Sequence, residues 1–331
     1  MFVTSEADRG GLLVSVITGG RPLLKQRTVG RFFEQMHAAG VADIVWVANE
    51  RHADDLEPDE HEVVTYSDDW AYEYASEHWM SPDTPPERGG FFGAFPGREA
   101  AAREAERRGC WGVLQLDDNI DRIMFVRDTR GGNKVIQDLG GFAFFVDMLT
   151  AVSRSTNART VGAQLSSIPE PEFKIARPGF PYSLFIERVG EGREEWFGPY
   201  EDDITHSLQY GDRADGSTAA IVPMIRYHKE NTSKTGMRAK YNHERSKMLQ
   251  RLQPHVAKVG VRATRSNGQG GARVFHSMPA GAIRNPLAVH DHDLYGAARE
   301  ALVAATGQWK VAEREGNRAK AMERAAKAAG K

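Results

Sequence analysis

The distribution of apolar and polar positions predicts an alternation of short buried strands and helices. Leu12 to Thr18 (LLVSVIT) is a β-branched apolar run closed by Gly19 and Gly20, the pattern of a buried strand feeding a turn. Val29, Phe32, Phe33 and Met36 follow at helical spacing, with Gly40 as a stop. Val41 to Ala48 and Glu62 to Tyr66 read as further strands. Ser67 to Phe95, rich in aromatics, prolines and glycines, reads as a short helix and then a loop. Arg98 to Arg108 (REAAAREAERR) is strongly helical, ends at Gly109 and leads into the apolar strand VLQL, which stops at Asp117, Asp118 and Asn119.

Beyond that point Val135 to Leu139 reads as a sheet segment and Gly141 to Met148 as a helix start. Val161 to Ile168, Phe180 to Ile186 and Ala219 to Tyr227 are expected strands. Ser246 to Leu252 continues a helix from about Met237, and Val259 to Met278 forms a hairpin around a Gly-rich tip. Leu294 to Lys331 is Ala-rich and amphipathic. Strand, helix, strand in this rhythm argues for a parallel sheet with crossover helices, a Rossmann-like start. No internal repeat is visible.

Length and composition set the class. A chain of 331 residues with 40% hydrophobic content holds one large α/β domain with an appendage, or two modest domains. The single cysteine, Cys110, excludes an internal disulfide and suits a reducing compartment. The amino end has neither the basic region nor the cleavage site of a signal peptide. No run approaches the roughly 18 apolar residues of a membrane span. The expectation is a soluble, cytoplasmic protein.

Charge changes the picture more than composition does. Residues 1–225 carry 22 Lys+Arg against 37 Asp+Glu, whereas residues 226–285 carry 13 against 2. So one-sided a block is expected to face a polyanion or phosphate surface. The competing reading is a face that balances the acidic half by attraction within the molecule.

Four constellations carry candidate chemistry. Thr18, Gly19, Gly20 and Arg21, with Lys25 and Arg27, stand beyond the first strand, where glycines admit a phosphate and basic side chains neutralise it. Neither G-x-G-x-x-G nor the P-loop pattern is present, so dinucleotide and P-loop readings are disfavoured. Asp117, Asp118 and Asn119 at a strand tip suit a hard divalent cation, Mg²⁺ or Mn²⁺, that completes its shell with water and a diphosphate. Glu201, Asp202 and Asp203 form a second acidic cluster, fit for a base or an acceptor clamp and equally for a helix N-cap. His228, with Lys229, Lys234 and Arg238 on a polar segment, offers a metal ligand and phosphate contacts. His290 to Asp293 (HDHD) reads as a surface turn.

In chain order, the turn at Thr18 to Arg21, the helix REAAAREAERRG, the strand ending LDDN, the triplet EDD and the later His228 resemble the A-type glycosyltransferase (GT-A) fold. The resemblance implies an α/β, Rossmann-like mixed sheet flanked by helices. It implies a catalytic domain over residues 1–240 and a basic C-terminal extension over 241–331. It implies a divalent metal, Mn or Mg, on Asp117, Asp118 and His228. It places a nucleotide sugar, UDP-linked by preference, at Thr18, Gly19, Gly20, Arg21, Arg27, Asn49, Arg98, Asn119, Lys234 and Arg238, with Glu201, Asp202 and Asp203 as the catalytic carboxylates. Asn119 departs from the Asp-x-Asp pattern, which leaves open which side chain of LDDN touches the metal.

Within that fold, LQLDDNI with FGPYEDDITHSLQYG looks like the TET-associated glycosyltransferases of phages, which act on 5-hydroxymethylcytosine in DNA. That resemblance implies a DNA partner containing a hydroxymethylated pyrimidine, contacted by Arg262, Arg265 and Arg273 of the hairpin. Trp70, Trp79 and Phe91 would then be base-stacking candidates. The rival readings are a transferase for a protein or polysaccharide acceptor, a sugar nucleotidyltransferase, and a non-catalytic DNA-binding protein on the same scaffold.

Overall fold

The computed structural model describes residues 2–19, 35–36, 38–56, 62–125, 128–129, 132–133, 141–168, 173–230, 242–266, 269–279 and 281–306. The expected segment Val135 to Leu139, most of the helix expected at Val29 to Ala39 and the tail beyond Thr306 lie outside them.

The chain opens with a short helix α1 (Glu6–Gly10) and strand β1 (Leu12–Ile17), then β2 (Asp43–Asn49), a 3-10 turn (Glu50–Leu56) and β3 (Val63–Tyr66). Helices α2 (Asp68–His78) and α3 (Phe95–Arg107) lead to β4 (Gly112–Asp117) and β5 (Ile120–Phe125). Two short strands follow, β6 (Asp128–Thr129) and β7 (Gly132–Asn133). Next come α4 (Gly141–Ser155), β8 (Ala158–Leu165), β9 (Arg177–Pro178), β10 (Leu184–Arg188), α5 (Asp202–Gly211) and β11 (Thr218–Lys229). The described chain closes with α6 (Asn242–Leu252), the hairpin β12 (Lys258–Ser266) and β13 (Gln269–Ser277), and α7 (His292–Thr306). HDHD turns out to start α7, because the Asp291 carboxylate accepts the Leu294 amide at 2.9 Å and caps it.

The main sheet has the order β3-β2-β1-β4-β10-β8-β11-β5, with β9 also on β11. Strands β3, β2, β1 and β4 run parallel, β10 is antiparallel to both β4 and β8, and β11 is parallel to β8. An α/β, Rossmann-like mixed sheet is therefore what the chain builds. Strands β1 and β4 are covered on both faces, which explains why they read as nearly continuous apolar runs. Leu12, Val14 and Val16 face α4 and α7, while Leu13 and Ile17 face the Ala101, Ala102 and Ala105 side of α3.

Close strand contact is visible at Gly162. A Cβ there would lie 2.7 Å from the Leu184 carbonyl oxygen and 2.4 Å from Pro181 Cβ. Gly162→Ala is expected to lower stability by about 1–3 kcal/mol through overpacking. A urea melt checks this, and a midpoint equal to that of the unsubstituted chain would contradict the packing.

Two topological facts position the site. The strand order reverses direction between β1 and β4, and ligands of open α/β sheets bind at the carboxyl ends of strands beside such a switch point. Strand β11, in turn, slips its pairing with β8 between Val222 and Arg226, where Pro223 sits. Beyond the slip, the end of β11 meets the end of β4: the Glu230 amide donates to the Asn119 carbonyl at 2.9 Å.

Candidate active site

Strand register brings the first residues together. Ile17 lies opposite Asp117 across the parallel β1–β4 pair, so the next residues, Thr18 and Asp118, also meet. The Thr18 hydroxyl donates to Asp118 Oδ2 at 2.8 Å. Asn49 ends β2 at the same edge, is buried, and accepts from the Arg51 side chain at 3.1 Å.

The repulsion implied by LDDN is answered by two cations from distant elements. Arg98, in the first turn of α3 and only 3% exposed, donates through Nη2 to Asp117 Oδ1 at 3.0 Å and through Nε to Asp202 Oδ2 at 2.9 Å. Its guanidinium lies against both Phe185 and Trp196, 5.3 and 5.4 Å from their ring centres. Lys229, at the end of β11, places Nζ 3.3 Å from Asp117 Oδ2 and 2.6 Å from Ser183 Oγ. Burial pushes the Asp117 carboxyl up, but Lys229 and Arg98 outweigh it and hold that carboxyl below its usual range. Burial also works against the Arg98 charge, which Asp117 and Asp202 nevertheless reinforce.

The second acidic cluster sits at the start of α5. Asp202 is buried against Arg98, and Glu201 is gripped by Arg245 of α6, with His276 Nε2 of β13 3.6 Å from its other oxygen. Asp203 differs from both. Burial, reinforced by the charge of Asp202 and opposed by Arg98 and Lys229, raises its carboxyl to about 7. Among the described residues, the non-glycine residues with positive φ are Ser183 at 55° and Glu201 at 51°, and both stand at this site. Such backbone is uphill by about 1–3 kcal/mol and persists where surrounding contacts enforce it. Asp117 N–H donates to the Ser183 carbonyl at 2.9 Å, and Thr205 N–H to that of Glu201 at 2.9 Å.

The expected residues divide accordingly. Thr18, Arg98, Asp117, Asp118, Asn119 and Asp202 form one connected edge with Asp203 beside it, and Asn49 lies on the neighbouring strand end. Gly19 follows Thr18 at the same edge. His228 is drawn elsewhere, its Nδ1 2.6 Å from Asp121 Oδ1 of β5. Gly20, Arg21, Lys25, Arg27, Lys234 and Arg238 lie outside the described residues, as do the side chains of Arg262, Arg265 and Arg273 on the hairpin strands. Ser183 and His276 carried no signal in the sequence, while Lys229 was visible as part of its basic segment and Arg245 only as one charge of the basic block.

The acidic tip suits a hard cation supplied with phosphate. Among the described residues no group of three or more His, Cys, Asp or Glu is placed to enclose a metal. The Asn119 amide oxygen is buried and has no hydrogen-bond partner among the described residues, and Asp118 adjoins it. One carboxylate and one amide oxygen at a strand end match the partial, oxygen-only set that Mg²⁺ or Mn²⁺ accepts when water and a diphosphate complete its shell.

No protein-family model and no curated protein sequence matches the chain. Among solved structures it is similar to glucosyl-3-phosphoglycerate synthase from Mycobacterium tuberculosis in complex with Mn²⁺ and UDP-glucose, at 10% identity over 82% of this chain and 89% of that one, TM-score 0.42. It is also similar to that synthase with Mn²⁺, UDP and phosphoglyceric acid, at 11% identity over 82% and 89%, TM-score 0.45. A mycobacterial protein matches at 12% identity over 85% and 91%, TM-score 0.45.

The expectations of an enzyme and of a divalent cation agree with these proteins, but the expected resemblance to phage TET-associated glycosyltransferases does not. The matched synthase is named for a small phosphorylated acid, not for hydroxymethylcytosine in DNA. The DNA acceptor and the phage setting are therefore withdrawn, and with them the DNA-binding roles of Arg262, Arg265 and Arg273. The charge argument behind them also has another explanation. Lys229 pairs with Asp117, Arg245 with Glu201, Arg251 with Asp83 and Arg284 with Asp212, so basic residues of the block are used on the acidic half of the same molecule. The base-stacking roles fall too. Trp70 stacks on Tyr74 at 5.2 Å and Trp79 packs edge-on to Phe92 and Phe95, so both rings pack within the protein, while Phe91 is exposed. No helix among the described residues is long and apolar enough to cross a membrane.

Proposed function

We propose that this chain is a glycosyltransferase of the GT-A type that moves a sugar from a nucleotide sugar to a small hydroxyl-bearing acceptor. The observation that carries this reading is the Arg98 bridge. It binds a strand-end carboxylate at the topological switch point to a second acidic cluster whose next member, Asp203, titrates near neutrality. One cluster then serves the donor and the other the acceptor.

In this reading Asp118 and Asn119 hold Mn²⁺ or Mg²⁺, which when bound offsets the charge on the departing nucleoside diphosphate. Thr18 orients Asp118 through its hydroxyl. Asn49, at the end of β2, lies on the nucleoside side. Asp203 accepts the proton of the acceptor hydroxyl, a task suited to a carboxyl whose pKa lies near the working pH. Arg98 helps keep Asp117 ionised and holds Asp202 in place, so the field at Asp203 is preorganised. The catalytic unit is proposed as residues 1–240, with 241–331 as an extension whose Arg245 and His276 hold Glu201.

The test is mass detection of glycosylated product from UDP- and GDP-sugars, Mn²⁺ and a panel of small acceptors that begins with three-carbon phosphorylated acids. Transfer by the unsubstituted chain and its loss in Asp118→Ala is the expected result. If no donor is consumed under any condition, with or without an acceptor, the transferase reading is wrong.

A further inference from the structure

Asp117 is occupied on both oxygens, by Arg98 on one and Lys229 on the other. The two cations are held very differently. Arg98 is buried against two aromatic rings and also tied to Asp202. Lys229 is 29% exposed, and its Nζ contacts Asp117 and the Ser183 hydroxyl. A lysine ammonium is a compact point charge on a flexible stem, so of the two it is the one able to leave.

The charge count makes its departure useful. Asp117, Asp118 and Asp202 less Arg98 leave two negative charges, the match of one divalent cation, and Lys229 cancels one of them in the structure as it stands. Two cations and a metal crowded onto one strand end would repel.

Resting on the donor-site reading above, we propose that Lys229 is a tethered counter-ion. It neutralises Asp117 while the donor is away, and shifts to the donor's diphosphate when a divalent cation enters at Asp118 and Asn119. Lys229 is thus a residue that sets the order of metal and donor binding, and Asp117 is a counter-ion site rather than a metal ligand.

Mn²⁺ binding to the full chain, followed by the electron paramagnetic resonance signal of the free ion without nucleotide, reads the first half. UDP affinity at saturating Mn²⁺ reads the second. Lys229→Met is expected to bind Mn²⁺ about threefold tighter or more, the scale of a half-exposed ion pair, yet to bind UDP several-fold weaker. This opposed pair of effects would not come from a merely structural residue. Ser183→Gly removes the lysine's second anchor at a position whose φ of 55° glycine adopts freely. It should tighten Mn²⁺ in the same direction, and it carries the test if Lys229→Met does not fold. Mn²⁺ affinity unchanged or weakened in these variants overturns the counter-ion proposal while leaving the donor site intact. Absence of Mn²⁺ binding in every protein, with or without UDP, overturns the donor-site reading as well.

Discussion

Arg98→Met is expected to destabilise the protein by about 3–5 kcal/mol, the cost of leaving buried charges without their partner. Arg98 is 3% exposed and touches both Asp117 and Asp202, so its removal takes the cation from Asp202 and leaves Asp117 with Lys229 alone. Arg98→Lys retains the charge but not the fork that reaches two carboxylates, and should fall between. Urea melts read the stability. For the proposed transfer, any Arg98→Met protein that folds should also act only at higher pH, because Arg98 is one of the charges that lowers the Asp203 carboxyl. A variant as stable as the unsubstituted chain would mean that Asp117 and Asp202 find other partners, and the bridge would lose its place in the argument.

Asp203→Asn should reduce transfer by about 10²–10⁴, the usual contribution of a positioned base, while nucleotide binding is retained. In the unsubstituted chain, activity is expected to rise with pH through about 7 as this carboxyl ionises, and the variant's residual activity should lose that limb. Stability moves the opposite way. The folded carboxyl sits at about 7, above its ordinary 3.8, so its stabilising contribution is complete below 3.8 and is lost as pH rises through 7. The unsubstituted chain should therefore lose stability across that window relative to Asp203→Asn. Equal activity and equal pH dependence in the two proteins would remove Asp203 from the mechanism.

Much of the scaffold was legible because it is locally encoded. The run LLVSVI and the run VLQL each pair apolar side chains on both faces, and they became the neighbouring strands β1 and β4. REAAAREAERR became most of α3, although the helix starts earlier, at Phe95, with Pro96 in its first turn. The crossing strand β5 went unread. It begins directly after Asn119, and only its pairing with β11 gives IDRIMF a sheet to join.

The acidic clusters were visible as types of residue, but their partners were not. Arg98 reaches Asp202 across 104 positions of sequence, and Lys229 reaches Asp117 across 112. The basic block illustrates the same limit. Its charge was plain in the chain, yet the attraction that uses part of it runs to Asp117, Glu201, Asp83 and Asp212, all in the acidic half. Net charge along a segment says how strongly it seeks anions, not whether those anions belong to the same molecule.

By itself, then, the amino-acid sequence determined most of the longer strands and helices and the position of carboxylates at a strand end, because propensity and periodicity act over a few residues. Only the tertiary structure decided which carboxylates are neutralised, which one titrates near 7, and that His228 turns to Asp121. Coulomb energy and desolvation depend on distances and burial in space, and those exist only once the chain has closed.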